Sequence, residues 1–201
     1  KEMFSGRCDD PVEWATMWKE LGADIICIRL MSIDPFKKNA SADDAATLVQ
    51  RIVDKTNLPV MVSGCGNVER DIEVLTVVCE KVKNTRLLIN KVEEGEYKKL
   101  ATAAMANNHV IIGFSNLDVN LAKQMNILLS DFGVETNNML MDPLMAALGM
   151  GLDYSYSVNE RIKLSAYSGD KMLQIPMICD CTSSWDVGDA TEEDAGTMGP
   201  A

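Results

Sequence analysis

Short apolar runs alternate with amphipathic segments along almost the whole chain, and that alternation leaves few folds open. The runs are Ala23–Leu30, Leu58–Ser63, Arg86–Asn90, His109–Phe114, Met139–Asp142 and Ile175–Cys179. Between them lie segments with helical spacing: Asp43–Lys55, Val68–Lys83, Glu94–Asn107, Val119–Phe132 and Val158–Ser168. Another helix, Pro11–Leu21, precedes the first run. Near-continuous apolar strands joined by helices predict a parallel sheet covered on both faces. Asp10 is placed to cap the first helix, Pro11 suits its first position and Gly22 its end. Ser41 precedes Asp43 and Asp44, acidic residues that favour a first turn. Strand number alone does not separate a doubly wound sheet from a closed barrel.

Length and apolar content suit a single domain over residues 1–201, with an irregular acidic tail over 182–201. The chain carries 30 Asp and Glu against 19 Lys and Arg, which argues against a nucleic-acid footprint. No apolar run approaches the roughly 20 residues of a membrane helix. No signal peptide is visible, although the chain opens at Lys1 rather than Met. Cys27 and Cys79 lie among apolar residues and read as small core residues. Cys179-x-Cys181 is the one close cysteine pair, and it has no second pair, so neither metal nor cluster binding is expected. The dispersed thiols favour a reducing cytoplasm.

In parallel α/β folds the loops after the strands carry chemistry. Here those loops hold Arg29, Ser32 and Asp34, then Ser63 to Asn67, then Asn90, Glu93 and Glu94. Ser115, Asn116, Asp118 and Asn120 follow, then Asp142-Pro143 and Asp180. Amides, hydroxyls and carboxylates abound, while nucleophile–base pairs do not, so no catalytic residue is assigned. Ser63-Gly64-Cys65-Gly66-Asn67 reads either as a strand–helix turn capped by Asn67 or as backbone amides facing a ligand. No Lys-Ser/Thr follows its glycines, so it is not a phosphate loop. His109 opens a strand and belongs to the stability face. Met139 and Met141 suit the core, whereas Met145 and Met150 suit a soft, adaptable surface. Ser157 is placed to cap a helix with Glu160 in a capping box, leaving Tyr154 and Tyr156 in the preceding loop for an interface.

Four stretches carry a resemblance: GADIICIRLMSIDP from Gly22, PVMVSGCGNVERDIEVL from Pro59, LDVNLAKQMNILLSDFG from Leu117, and DPLMAALGMGLDYSYSVNERIKLSAYSGDKMLQIPMIC from Asp142. Together they resemble the small subunit of the corrinoid iron–sulfur protein, the delta subunit of the acetyl-CoA decarbonylase/synthase complex. The resemblance implies a (β/α)8 TIM barrel, seen here as about six strand–helix units with the first strand and last unit missing. It implies a heterodimer with a large subunit that holds the corrinoid (a cobamide) and the iron–sulfur cluster, and contact with a methyltransferase and acetyl-CoA synthase. The cofactor would rest on the strand-end face while a methyl group moves between a methyl-tetrahydropterin or tetrahydrofolate and acetyl-CoA synthase. The expected cofactor-facing residues are Asp34, Gly64, Gly66, Asn67, Asn90, Ser115, Asn116, Asp118, Asn120, Asp142, Tyr154 and Tyr156. No Asp-x-His-x-x-Gly pattern for histidine ligation of cobalt occurs. The alternatives are a related pterin-dependent methyltransferase and a purely structural assembly subunit.

Overall fold

The apolar runs form five strands: β1 (Ile26–Arg29), β2 (Val60–Ser63), β3 (Leu87–Val92), β4 (Val110–Phe114) and β5 (Met139–Asp142). They lie in the sheet order β1-β2-β3-β4-β5. The helices are α1 (Pro11–Glu20), α2 (Ala42–Thr56), α3 (Val68–Lys81), α4 (Tyr97–Ala106), α5 (Val119–Asp131) and α6 (Leu152–Tyr167). The computed structural model describes residues 6–147 and 151–182. The parallel α/β class is therefore as the sequence predicts. The sixth run, Ile175–Cys179, does not make a full strand. It joins β5 through one parallel bridge, Met141 to Met177, with Met141 N–H donating to the Pro176 carbonyl at 2.9 Å. No helix among the described residues is long and apolar enough to cross a membrane.

Two compact units divide the chain, Lys1–Val92 with Glu96–Ile111, and Glu93–Gly95 with Ile112–Ala201, so the split falls inside β4. In the first unit, β1, β2 and β3 pair in parallel with Ile26, Val60 and Leu87 in one row and Arg29, Ser63 and Asn90 in another. Val60, Val62, Leu87 and Ile89 are wholly buried. Strand alternation sends the intervening residues to the opposite face. Cys27 is one of these and is exposed, which corrects its reading as a core residue. Cys79 is in the core as expected, and burial pushes its thiol up to about 12. The helix ends follow local chemistry. Asp10 accepts from Val12 N–H, Ser41 from Asp44 N–H and Asn67 from Arg70 N–H.

In the second unit Met139 and Met141 are buried as expected. Asn126 Nδ2 donates to the Met172 carbonyl at 2.7 Å, and Lys123 pairs with Asp170 at 2.7 Å, fastening the segment after α6 to α5. The Lys123 hydrogen bond holds the Asp170 carboxyl below its usual range. Helix α6 starts six residues before the expected Val158, so Tyr154 to Ser157 are helical and not a loop. Its N-cap is Gly151, at φ 117, rather than Ser157. A left-handed φ of that kind suits glycine, and here it replaces the side-chain cap.

Candidate functional site

The carboxyl ends of β1, β2 and β3 carry three loops whose polar groups are largely spoken for. After β1, Asp34 accepts from Phe36 N–H at 2.9 Å and lies 3.7 Å from Lys37. Arg70, reaching over from α3, donates to the Ile33 carbonyl at 3.3 Å and the Ala40 carbonyl at 2.7 Å. The loop around Asp34 is thus clamped at both ends.

After β2, Asp71 reaches back from α3. Its carboxylate accepts from Cys65 N–H at 2.8 Å, Cys65 Sγ at 3.2 Å and Gly66 N–H at 2.9 Å. A Cβ on Gly64 would meet the Asp71 carboxyl at 2.0 Å, so the glycine makes room for that anion. Gly66 holds φ +100, the region open to glycine. Burial, above all, raises the Cys65 thiol, and the nearby Asp71 carboxylate adds to this. The turn reading of Ser63 to Asn67 describes this geometry. Asn67 caps α3, and the two amides that an incoming ligand would use are already given to Asp71.

In β3, two residues before its end, Asn90 is buried. Its Nδ2 donates to Ser63 Oγ at 3.0 Å, and its Oδ1 has no partner among the described residues.

In the second unit the ends of β4 and β5 are stitched together. Ser115 N–H donates to the Asp142 carbonyl at 3.0 Å and Leu117 N–H to the Pro143 carbonyl at 2.9 Å. Asn116, Leu117 and Leu144 all take positive φ, at 40°, 62° and 73°. Non-glycine residues there store strain, and such strain gathers at functional sites. Asp142 is buried and accepts from Leu144 N–H at 3.0 Å. Ser115 is buried, and its hydroxyl has no partner among the described residues. Asp118 caps α5 by accepting from Asn120 and Leu121 N–H, while the Asn120 side chain is exposed.

Tyr154 and Tyr156 are 67% and 70% exposed on α6. Two residues apart on a helix they stand about 200° around the axis, so they face different sides and form no single patch. Between them Ser155 is buried, and its Oγ accepts from Ala146 N–H at 2.9 Å, docking the loop from β5 onto the helix. Ser155→Ala is expected to cost about 1 kcal/mol in urea unfolding and to loosen this loop, seen as faster amide exchange at Ala146. Asn159 reaches Met145 Sδ at 3.3 Å and Cys179 Sγ at 3.8 Å. Partial burial raises the Cys179 thiol, helped by Cys181 and Asp142. Gly149 and Met150 lie outside the described residues, as does all of the acidic tail after Thr182.

The expected site residues therefore gather within each unit: Asp34, Gly64, Gly66, Asn67 and Asn90 in the first, Ser115, Asn116, Asp118, Asn120 and Asp142 in the second. Asp71, Arg70, Ser155 and Asn159 hold these loops and escape a strand-end reading, because each reaches in from a helix. Among the described residues no group of three His, Cys, Asp or Glu side chains is arranged for a metal ion. His109 is occupied on both ring nitrogens, with Leu87 N–H and the Cys79 carbonyl. Among the described residues the strand ends offer hydrogen-bonding groups, and the thiol that meets a carboxylate there, Cys65 on Asp71, has its pKa raised by burial rather than lowered.

Comparison with known proteins agrees across the chain. The family described as CO dehydrogenase/acetyl-CoA synthase delta subunit matches residues 4–195. The acetyl-CoA decarbonylase/synthase complex subunit delta of Methanopyrus kandleri is 33% identical over 187 residues, covering 92% of this chain and 47% of that protein. Subunit delta 1 of Methanosarcina thermophila is 36% identical over 188 residues, covering 92% and 43%. The Methanosarcina mazei subunit is 35% identical over 204 residues, covering 97% and 47%. The chain spans about half the length of these curated relatives. It belongs to the CO dehydrogenase/acetyl-CoA synthase delta subunit family.

Proposed function

We propose that this chain is a docking part of a delta subunit, whose strand-end face shields a corrinoid held by a large partner subunit. The match to the delta-subunit family over residues 4–195 carries this reading. The parallel α/β order also suits a barrel. When bound, the cobalt of such a cofactor accepts and releases the methyl group. The residues here fit the rim of a corrinoid and not its metal. His109 has no free nitrogen for cobalt, whereas Asn90 Oδ1 and Ser115 Oγ are buried oxygens without partners among the described residues. On this reading the chain orients and excludes water, and the iron–sulfur cluster belongs to the partner. The methyl donor, a methyl-tetrahydropterin or tetrahydrofolate, and acetyl-CoA synthase meet the assembled pair.

Reconstitution with the corrinoid subunit tests this. The full chain is expected to form a stoichiometric pair and to change the visible spectrum of the bound corrinoid. No association would overturn the reading. Tyr154 and Tyr156 offer exposed aromatic area with polar tips, useful at an interface. Because they face different sides of α6, replacing both with serine tests either side of the helix, and is expected to weaken pairing about tenfold while leaving thermal unfolding unchanged. Equal affinity in a calorimetric titration would remove α6 from the interface. A pterin-dependent methyltransferase is the second reading. It is favoured by the strained Asp142 loop beside Ser115, and tight methyl-tetrahydrofolate binding by the chain alone would select it.

A further inference from the structure

Three sulfurs gather around one amide in the second unit. Asn159, on α6, points Nδ2 at Met145 Sδ, 3.3 Å away, and at Cys179 Sγ, 3.8 Å away. Its Oδ1 is buried without a partner among the described residues. The Cys181 thiol turns back on the same place, donating to the Cys179 carbonyl at 3.7 Å. A separate bond holds each of the three. Ser155, one turn before Asn159 on the same face of α6, accepts from Ala146 N–H at 2.9 Å and so seats Met145. Ile178 N–H donates to the Met141 carbonyl at 2.8 Å and fixes the chain just ahead of Cys179 on β5. Asp180 Oδ1 accepts from Thr182 N–H at 2.9 Å and from Thr182 Oγ1 at 2.6 Å, a turn that brings Cys181 round. Both thiols are exposed, so an ion has a way in. An amide N–H spent on two weak sulfur acceptors, with its own oxygen left over, gains little for packing alone.

We infer that Met145, Cys179 and Cys181 form a three-sulfur site for one Cu(I) ion, steadied by the Asn159 amide. Two thiolates and a thioether make a soft ligand set of low number, which suits Cu(I). Structural zinc asks for four ligands from Cys, His and carboxylates, and iron–sulfur clusters ask for four thiolates. Neither set is assembled among the described residues. The lack of a second cysteine pair therefore counts against those metals and not against this one. On binding, each thiol gives its proton to solvent as its sulfur bonds the ion, and the Met145 thioether bonds without losing a proton. No electron moves, and copper stays Cu(I). The Asn159 N–H, already aimed at Cys179 Sγ, then meets a metal-bound thiolate, a better acceptor than the thiol.

The test loads the full chain, reduced and free of oxygen, with Cu(I) in competition with a coloured Cu(I) chelator. One ion per chain is expected, with sulfur-to-copper absorption in the near ultraviolet, and an equal concentration of Zn(II) is expected not to displace it. Cys179→Ser and Cys181→Ser should each abolish the competition. Met145→Leu and Asn159→Leu should weaken it about tenfold. Cys8→Ser and Cys65→Ser should leave it unchanged. A second readout needs no variant: Cu(I) is expected to protect Cys179 and Cys181, and not Cys8, from iodoacetamide, scored peptide by peptide by mass spectrometry. Any of four results overturns the site: no bound ion, binding that follows Cys8 or Cys65, unaltered affinity in Met145→Leu, or equal alkylation of Cys179 and Cys181 with and without Cu(I). Displacement by Zn(II) overturns the choice of ion, and with it the role given to the thioether.

Discussion

Gly64→Ala is expected to destabilise the protein by about 2–4 kcal/mol, although it adds one methyl group to a surface turn. The added Cβ would fall 2.0 Å from Asp71 Cγ and 2.2 Å from its Oδ1. The backbone itself raises no objection, because Gly64 does not sit at positive φ. The cost comes from what the carboxylate must give up when it moves, namely its bonds to Cys65 N–H and Gly66 N–H. Bonds to an ionised acceptor are roughly twice as strong as neutral ones. Asp71→Ala removes the same bonds and should cost a similar amount. The double variant separates this account from simple crowding. With no carboxylate to displace, Gly64→Ala in the Asp71→Ala background should cost under about 1 kcal/mol, a coupling that a double-mutant cycle in urea reads directly. Additive losses would mean that the glycine is needed for another reason.

That network also marks where sequence reasoning stops. Asn67 as a cap, Ser41 before its acidic pair and Asp10 before Pro11 are local signals, and each side chain accepts the expected amide within three residues. The strands were legible because burial on both faces demands long apolar runs. Asp71 was not legible. It lies in the first turn of α3, where an acidic residue is already favoured by the helix dipole, so nothing flags its reach back to the loop. The Asn90–Ser63 bond depends on strand register, which no local pattern encodes. An apolar stripe is legible only from Val158, because Tyr154 to Ser157 lack one, whereas α6 begins after Gly151, whose φ of 117° no sequence pattern displays. Ile175–Cys179 has the composition of a strand but gains one bridge, since pairing is set by neighbours rather than by propensity.

The largest pH effect should come from His109, the one histidine in the chain. It is 2% exposed at the start of β4. Nδ1 accepts from Leu87 N–H at 3.1 Å, so Nε2 carries the proton and donates to the Cys79 carbonyl at 3.0 Å. The ring therefore joins the end of α3 to the starts of β3 and β4 as a neutral tautomer. Adding a second proton would set a donor against Leu87 N–H. Burial lowers the pKa of this ring, and the positive charges of Lys83 and Arg86 add to that, against the opposing Cys79 bond. The unfolded chain then binds a proton from about pH 6.5 downward while the folded chain does not. Stability is full above that pH and falls as pH drops toward the folded-state value, by up to about 1.4 kcal/mol per unit. An imidazole is the side chain whose ordinary pKa lies in that window, so His109 is expected to carry the slope between about pH 6.5 and 5. His109→Gln keeps an acceptor and a donor but does not titrate, and should flatten the slope in urea unfolding at stepped pH. His109→Leu should cost about 2–4 kcal/mol at pH 7.5, leaving Leu87 N–H and the Cys79 carbonyl unpaired. An equal slope in His109→Gln would place the titration elsewhere and return this histidine to ordinary packing.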